Sequence, residues 1–165
     1  MTTVAVISDT HLPRGSRALP ERCVELLRGA DLIVHAGDIA TVGVLDELRR
    51  LGPPVHAVHG NADEPALREA LPAELRVDVG EVRLGVVHDA GPAAGRLVRL
   101  QRRLGDCDAV VFGHSHIPLH EHDFDAAFQI FNPGSPTDRR RQPRHTMGLA
   151  RVSGGDIGFE LVALD

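Results

Sequence analysis

Histidine, aspartate and asparagine are concentrated at the ends of five short apolar segments of this 165-residue chain. Each segment has the pattern of a buried β-strand, and a polar block follows it directly. The five blocks are Ser8-Asp9-Thr10-His11, His35-Ala36-Gly37-Asp38, His59-Gly60-Asn61-Ala62-Asp63, His88 and Gly113-His114-Ser115-His116. Because ligands bind beyond the carboxyl ends of strands in α/β sheets, we expect these blocks to meet at one edge.

The blocks contain two carboxylates, one amide oxygen and four imidazoles that could bind metal ions. These candidate ligands are Asp9, Asp38, Asn61, His11, His88, His114 and His116. They exceed what one four-coordinate zinc ion uses. If one carboxylate bridges, they form two sites with the ions ~3.5–4 Å apart. A set rich in imidazole and without thiolate favours Mn, Fe, Zn, Co or Ni over soft ions and over Mg or Ca.

The charge of such a centre indicates the class of substrate. Two divalent ions, the carboxylates of Asp9 and Asp38 and a bridging hydroxide leave one net positive charge, which suits an anion. A phosphate ester can span both ions, which would polarise it and lower the pKa of the shared water to ~7. The sequence therefore predicts metal-assisted hydrolysis of a phosphate ester.

Each block alone also has an ordinary structural explanation. The Asp9-x-His11 pair fits a loop turn with a helix cap, and Gly-Asp and Gly-Asn are common turn dipeptides. His120 and His122 repeat the His-x-His spacing, but no apolar strand precedes them, so we expect them at the surface. The metal prediction rests on all five blocks occurring in order, each at a strand end.

The apolar runs alternate with helical patterns, which predicts βα units with parallel strand pairing. Strands are predicted over residues 4–7, 32–34, 55–58, 75–79, 82–87 and 109–112. Helices are predicted over 20–29, 44–51 and 97–104, and a hairpin turn at Gly80-Glu81. From His120 onward the pattern changes to strands and tight turns, at Asp125-Ala126 and Gly154-Gly155. We expect two packed sheets with helices outside, in a single domain over residues 1–165.

Composition excludes several other classes. With 42% apolar and 25% charged residues the chain is not a disordered one, and no apolar run approaches the ~18 residues of a membrane span. The first residues lack the features of a signal peptide, so we expect a cytoplasmic protein without membrane contact. A net charge of −5 argues against nucleic-acid binding. For the one basic cluster, at residues 139–144, a solvated loop and phosphate steering or a partner contact are the alternatives.

Taken together, the motifs resemble those of the calcineurin-like metallophosphoesterases. The matching motifs are Asp9-x-His11, Gly37-Asp38, Gly60-Asn61-x-Asp63, His88 and Gly113-His-Ser-His116. The short chain, the GNxD motif and Asn132-Pro133-Gly134-Ser135 narrow the resemblance to the small YfcE-type phosphodiesterases. It runs from about residue 4 to residue 135 and more loosely through the final hairpin. The resemblance implies a four-layer α-β-β-α sandwich of two mixed sheets.

The resemblance also implies roles for individual residues. Asp9, His11 and His116 would hold the first metal. Asn61, His88 and His114 would hold the second, with Asp38 as the bridge. The bridging water would attack phosphorus in line, and the implied catalytic residues are Asp38, Asn61, Asp63 and His114. We expect two divalent ions, with manganese as the first choice and Fe, Zn, Ni or Co as alternatives. A small phosphate ester is the expected substrate, and a homodimer or tetramer the expected assembly.

Three positions depart from the family pattern. Ala62 stands where larger relatives carry a histidine that protonates the leaving group, which favours acidic leaving groups unless His59, Asp63 or His35 supplies a proton. Asp89 stands where the family usually has glycine, and either orients an imidazole or belongs to a turn. His59 stands where relatives often carry arginine.

The residues beside the candidate ligands have structural alternatives as well. We expect His35 and His59 to support the site or pack in the core rather than bind metal. Asp63 either orients a ligand or caps a helix that starts at Glu64-Pro65.

Three functions compete. The preferred one is a two-metal hydrolase of phosphodiesters, with phosphomonoesters less favoured. The alternative is a non-catalytic, metal-binding protein-interaction scaffold of the same fold, as in a retromer subunit that resembles the family but has lost key ligands. A small nuclease comes third, because the chain is acidic and lacks a basic aromatic groove. Substrate choice is expected to lie in the loops over residues 12–19, 90–95 and 135–144.

Overall fold

The apolar runs of the first half of the chain form parallel strands joined by helices. The computed structural model describes residues 1–165. Its first elements are β1 (Thr2–Ile7), α1 (Glu21–Gly29), β2 (Leu32–His35), α2 (Val42–Arg49), β3 (Val55–Ala57) and α3 (Pro65–Ala70). β2 pairs in parallel with both β1 and β3. All four residues of β2 are buried, as expected of a strand covered on both faces.

The second half builds another sheet and then returns to the first. Its elements are β4 (Glu74–Val79), β5 (Val82–Val87), α4 (Arg96–Arg103), β6 (Ala109–Val111), β7 (Leu119–Asp123), β8 (Phe128–Asn132), β9 (Thr146–Ser153) and β10 (Asp156–Ala163). One five-stranded sheet has the order β10-β9-β1-β2-β3 and the other β4-β5-β6-β8-β7. Both sheets mix parallel and antiparallel pairs, as expected.

The two sheets pack face to face and the helices cover their outer faces. Val4 and Val34 from the first sheet share a buried cluster with Leu84 and Phe131 from the second. On the outer face of the first sheet, Leu27 of α1 belongs to a separate cluster. α4 packs in the same way on the outer face of the second sheet. The predicted α-β-β-α sandwich of two mixed sheets is therefore confirmed.

The ends of the elements differ from the sequence predictions by a few residues. β3 ends at Ala57 and β6 at Val111, one residue earlier than expected in each case. The backbone N–H of Val58 still donates to the carbonyl oxygen of His35 (3.2 Å), so the chain runs on in the strand direction into the polar block. α2 ends at Arg49, before the expected Leu51.

None of the helices has the length and apolar character of a transmembrane segment.

The packing of the core between the sheets gives a testable prediction about stability. Leu84 is completely buried there, and we expect Leu84→Ala to lower the free energy of unfolding by about 2–5 kcal/mol through lost burial and a residual cavity. Leu161→Ala on β10 is the matched control, since Leu161 is 47% exposed. Urea denaturation of both variants would measure the difference, and equal losses would contradict this packing.

Candidate metal centre

The strand ends of both sheets meet along one edge of the sandwich. Asp9 and His11 follow β1, Asp38 follows β2, and Asn61 follows β3. The second sheet contributes His88 after β5, and His114 and His116 after β6. Backbone hydrogen bonds join neighbouring loops, with the N–H of Asp9 donating to the Gly37 carbonyl (3.0 Å) and that of Gly113 to the His88 carbonyl (2.9 Å). The structure thus brings all five polar blocks together.

The backbone is strained where the loops leave the strands. Positive φ angles occur at five candidate ligands: Asp9 (56°), His11 (45°), Asp38 (58°), His114 (70°) and His116 (60°). Residues other than glycine rarely adopt this left-handed conformation, and each instance has a free-energy cost of about 1–3 kcal/mol. Such strain persists only where the surroundings enforce it, and its concentration at these positions is itself a sign of a functional site.

Two glycines allow the loops to approach the acidic side chains closely. A Cβ atom on Gly60 would lie 2.1 Å from Oδ1 of Asp38, and one on Gly113 would lie 1.9 Å from Oγ of Ser8. Any larger residue would displace these groups. The glycines that precede Asn61 and His114 therefore serve close contact between loops from different strands.

Asp9, His11 and His116 form the first cluster of potential ligands. Nε2 of His11 lies 3.2 Å from Nε2 of His116, and Oδ1 of Asp9 lies 3.6 Å from Nε2 of His116. Ligand atoms bound ~2.0–2.2 Å from one ion are separated by roughly 3.0–3.5 Å, so these distances suit a shared metal. Asp9 and His116 are buried, and His11 is half-buried.

Asp38, His88 and His114 form the second cluster, and Asn61 belongs with them. Oδ1 of Asn61 lies 3.1 Å from Nε2 of His88 and 3.1 Å from Nδ1 of His114. Oδ2 of Asp38 lies 3.2 Å from Nε2 of His88. His114 and Asn61 are exposed, so this cluster opens to solvent whereas the first is enclosed.

Asp38 contacts both clusters through one oxygen atom. Its Oδ2 lies 3.4 Å from Nε2 of His11 and 3.2 Å from Nε2 of His88. Its Oδ1 accepts a hydrogen bond from the backbone N–H of Ala62 (2.8 Å). The backbone bond orients the carboxylate, and the shared oxygen lies between the two clusters.

The hydrogen bonds on the outer sides of the rings determine which nitrogens face the clusters. Nδ1 of His88 donates to the carbonyl oxygen of Ala36 (2.8 Å), and Nδ1 of His116 donates to that of Asp138. In the neutral rings Nε2 is therefore unprotonated and faces inward. Nε2 of His88 then faces two oxygen atoms, from Asp38 and Asn61, and a cation bound among them would relieve this repulsion. The residues thus fit divalent metal ions.

Without metal, protons partly take the place of that cation. Burial lowers the pKa of His88, but the hydrogen bond that protonated His88 donates to Asp38 and the charges of Asp9 and Asp38 outweigh burial and raise it overall. Burial raises the pKa of Asp9 to about 7. Burial also disfavours ionised Asp38, yet the contacts with His88 and Ala62 hold its pKa at about 2. The Asp38 carboxylate is therefore ionised even without metal.

Asp63 holds two loops of the centre together through hydrogen bonds to their backbone. Its Oδ1 accepts from the backbone N–H of Ala40 (2.7 Å) and its Oδ2 from that of Gly60 (2.7 Å), which ties the Asp38 loop to the Asn61 loop. The side chain makes no cap of α3, whose N-cap residue is Glu64, so the capping alternative is wrong. The structure places Asp63, predicted as catalytic, behind the ligand atoms rather than among them.

His35 is a core residue that links two loops, as expected. The backbone N–H of Gly37 donates to its Nδ1 (3.1 Å), so the ring proton is on Nε2, which faces Oγ1 of Thr10 (3.0 Å). Complete burial lowers the pKa of His35 to about 3 and keeps the ring neutral. His35 therefore joins the residues next to Asp9 and Asp38 without binding metal.

Several hydroxyl residues for which the sequence predicts no role hold the strained loops. Oγ of Ser8 donates to Oδ2 of Asp9 (2.8 Å), Oγ of Ser135 to the Asp9 carbonyl (2.8 Å), and Oγ1 of Thr137 to the Thr10 carbonyl (2.6 Å). Two features of the sequence point to such residues: Ser8 adjoins a predicted ligand, and Ser135 belongs to the Asn132-Pro133-Gly134-Ser135 motif.

A cavity of about 340 Å³ opens beside the second cluster. Three side chains were alternative proton donors for the leaving group. Those of Asp63 and His35 are already engaged in the hydrogen bonds described above, whereas His59 lines this cavity.

Asp89 also lines the cavity. Its Oδ1 accepts from Gly91 N–H (2.8 Å), which makes it a turn residue, and its Oδ2 is 4.0 Å from Nε2 of His114, too far for a hydrogen bond.

Residues outside the two clusters lie as expected for the most part. His120 is exposed on β7 and approaches Oε1 of Gln129 (2.8 Å). Arg139, Arg140 and Arg141 are exposed, in agreement with a solvated loop, but the loop passes close to the first cluster because Asp138 accepts the hydrogen bond of His116.

Comparison with known proteins identifies the family. The family model of the calcineurin-like phosphoesterase superfamily domain matches residues 2–155. This chain belongs to that superfamily, which confirms the resemblance to a family of metal-dependent phosphoesterases.

Individual relatives agree with this assignment. A probable metallophosphoesterase of Methanothermobacter thermautotrophicus is 33% identical in an alignment of 162 residues that covers 96% of this chain and 91% of the relative. The solution structure of protein TM1076 of Thermotoga maritima aligns with a TM-score of 0.76 and 26% identity over 99% of both chains. Vps29 of Entamoeba histolytica, solved with zinc, has the same fold, with a TM-score of 0.77 and 24% identity over 99% of both chains.

Metal binding to this centre should release protons. At a pH below about 7 Asp9 is largely protonated in the metal-free protein, and the raised pKa of His88 acts in the same direction. The metal must displace these protons, so its affinity rises with pH between about 5 and 8. Isothermal titration calorimetry with Mn²⁺ in buffers of different ionisation enthalpy would count the protons. A pH-independent affinity with no proton release would contradict this protonation scheme.

Proposed function

We propose that this protein hydrolyses phosphodiesters at a dinuclear metal centre. The observation that carries the proposal is the position of Oδ2 of Asp38, 3.4 Å from Nε2 of His11 and 3.2 Å from Nε2 of His88. A carboxylate oxygen shared in this way between two clusters of ligand atoms is the arrangement that a pair of neighbouring ions requires.

Asp9, His11 and His116 would hold one ion, and Asn61, His88 and His114 the other, with Asp38 contacting both. Their oxygen and imidazole donors suit manganese, with Fe, Zn, Ni or Co as alternatives. When bound, such ions supply an activated water and neutralise the charge of the phosphoryl oxygens.

The residues of the chain determine where the substrate binds. The first cluster is enclosed, because Asp9 and His116 are no more than 1% exposed. Asn61 and His114 are exposed, so the phosphate ester approaches from the side of the second cluster. A diester carries two substituents, and the cavity beside the second cluster has room for one of them.

The site favours leaving groups that need no proton. Ala62 has no titratable side chain, and both oxygens of the neighbouring Asp63 are held by backbone N–H groups. A poor alkoxide leaving group would forfeit about 10²–10⁴ in rate without a general acid, whereas an acidic leaving group would lose little.

A non-catalytic scaffold is the competing function, since Vps29 proteins have the same fold. The presence of all seven candidate ligands, whose ligand atoms gather in two clusters, argues against a scaffold. A scaffold would not need five of these residues in a strained backbone conformation.

Hydrolysis of bis(p-nitrophenyl) phosphate by chelator-treated protein, with and without Mn²⁺, tests the proposal. We expect metal-dependent turnover. Asp38→Asn should lower kcat/KM at least ~100-fold because it disrupts the bridge. Asp63→Asn is the matched control and should cost only about tenfold, because it weakens a supporting contact.

Two results would contradict this assignment. Equal losses in the two variants, with unchanged metal content, would show that Asp38 is not a bridge. Folded wild-type protein that shows no turnover with Mn²⁺, Co²⁺, Ni²⁺ or Zn²⁺ would favour the scaffold.

The choice of leaving group gives a separate prediction. For methyl aryl phosphate diesters, we expect the p-nitrophenyl ester to react faster than the phenyl ester by about the same ratio as in water, because no general acid compensates for the poorer leaving group. The exposed position of Ala62 can accommodate a histidine, so Ala62→His should accelerate the phenyl ester selectively. If the ratio of the two kcat/KM values is the same in both proteins, the absence of a proton donor at this position is not what sets the preference.

A further inference from the structure

Two arginines lie in the wall of the cavity beside the second cluster. Arg68 comes from α3 and Arg103 from the end of α4, so two separate elements place a guanidinium group there. His59, Asn61 and His114 line the same cavity. A group bound between the arginines would therefore adjoin the candidate metal ligands.

Both guanidinium groups are anchored at one nitrogen and leave their terminal nitrogens without a protein acceptor. Nε of Arg68 donates to the carbonyl oxygen of Asp63 (2.9 Å), in the loop that carries Asn61. Nε of Arg103 donates to Oε2 of Glu74 (2.8 Å). The anchors limit the side-chain motion, so less conformational entropy is lost when an anion binds.

The charges around the cavity favour an anion. Asp89 is the one acidic residue in its wall, and its Oδ2 lies on the side of His114. Arg103 is partly neutralised by Glu74, whereas no carboxylate lies within salt-bridge distance of Arg68. Arg68 is thus the cation with the least compensation, and its planar fork suits the oxygens of a phosphate group.

We propose that this cavity binds a second phosphate group of the substrate, so that the preferred substrate is a phosphodiester that also carries a phosphomonoester. The proposal rests on the proposed function of the adjoining centre. Arg68 provides the main contact and Arg103 an additional one, while the diester phosphate occupies the metal centre.

A matched pair of chromogenic substrates tests this proposal. One is the p-nitrophenyl ester of thymidine 5′-phosphate, and the other is the same ester with an additional 3′-phosphate. In the Mn²⁺-loaded wild-type protein we expect kcat/KM to be about tenfold or more higher for the second ester, the effect of a hydrogen-bonded charge pair. High salt should reduce this preference.

Substitution of single arginines would show which residue causes the preference for the ester with the additional phosphate. Arg68→Gln should bring the ratio of the two kcat/KM values close to one, and Arg68→Lys should retain part of it. Arg102→Gln is the control, because Arg102 is exposed on the same helix as Arg103 but does not line the cavity. An unchanged ratio in Arg68→Gln, or no preference in the wild type, would overturn the proposal even where both esters are hydrolysed.

A binding measurement separates this proposal from the hydrolase itself. If neither ester is hydrolysed, the proposed function fails, but calorimetry can still compare thymidine 3′,5′-bisphosphate with thymidine 5′-monophosphate on Mn²⁺-loaded protein. We expect about tenfold tighter binding of the bisphosphate, lost in Arg68→Gln. Equal affinities for the two nucleotides would overturn the assignment of the cavity.

Discussion

One oxygen atom of the Asp38 carboxylate contacts imidazole nitrogens of both clusters, and the other candidate ligands are arranged around it. In the neutral ring Nε2 of His88 carries a lone pair and faces both this oxygen and Oδ1 of Asn61, so a cation bound among them would relieve their mutual repulsion. The raised pKa of His88 and of Asp9 shows the same demand, because the metal-free centre holds protons where metal ions would bind. The fold therefore concentrates potential metal-ligand atoms at one edge. This arrangement has a free-energy cost that bound ions would offset.

Holding these donors together requires both sheets. Asp9, Asp38 and Asn61 follow strands of the first sheet, whereas His88, His114 and His116 follow strands of the second. The loops adopt left-handed backbone conformations to reach the common edge, and they are fixed there by Asp63 and by the hydroxyl groups of Ser8, Ser135 and Thr137. Packing between the sheets is thus a condition for the centre to form.

Much of this arrangement could be predicted from the sequence, because the period of apolar residues marks the strands and parallel strands place their ends together. Asp9, Asp38 and Asn61 each follow an apolar run, so their convergence follows from the topology. From the sequence the role of Asp63 stays open between orienting a ligand and capping a helix, and Ser135 has none, since hydrogen bonds to the backbone of distant loops depend on tertiary geometry. Arg68 and Arg103 lie 35 positions apart and share no local pattern, so their common cavity appears only in the folded chain.

The two clusters differ in a way that suits hydrolysis. The first is enclosed by buried Asp9 and His116, and the second opens towards a cavity with positive charge. In the proposed reaction the enclosed side would hold an ion and the open side would admit an anionic ester.

A crystal structure of the Mn²⁺-loaded protein, with anomalous difference maps recorded near the manganese edge, would show directly whether the centre is dinuclear and bridged. We expect two peaks in each chain, ~3.5–4 Å apart, one at each cluster and both in contact with Asp38. A single peak, or two peaks of which only one contacts Asp38, would contradict a bridged dinuclear centre.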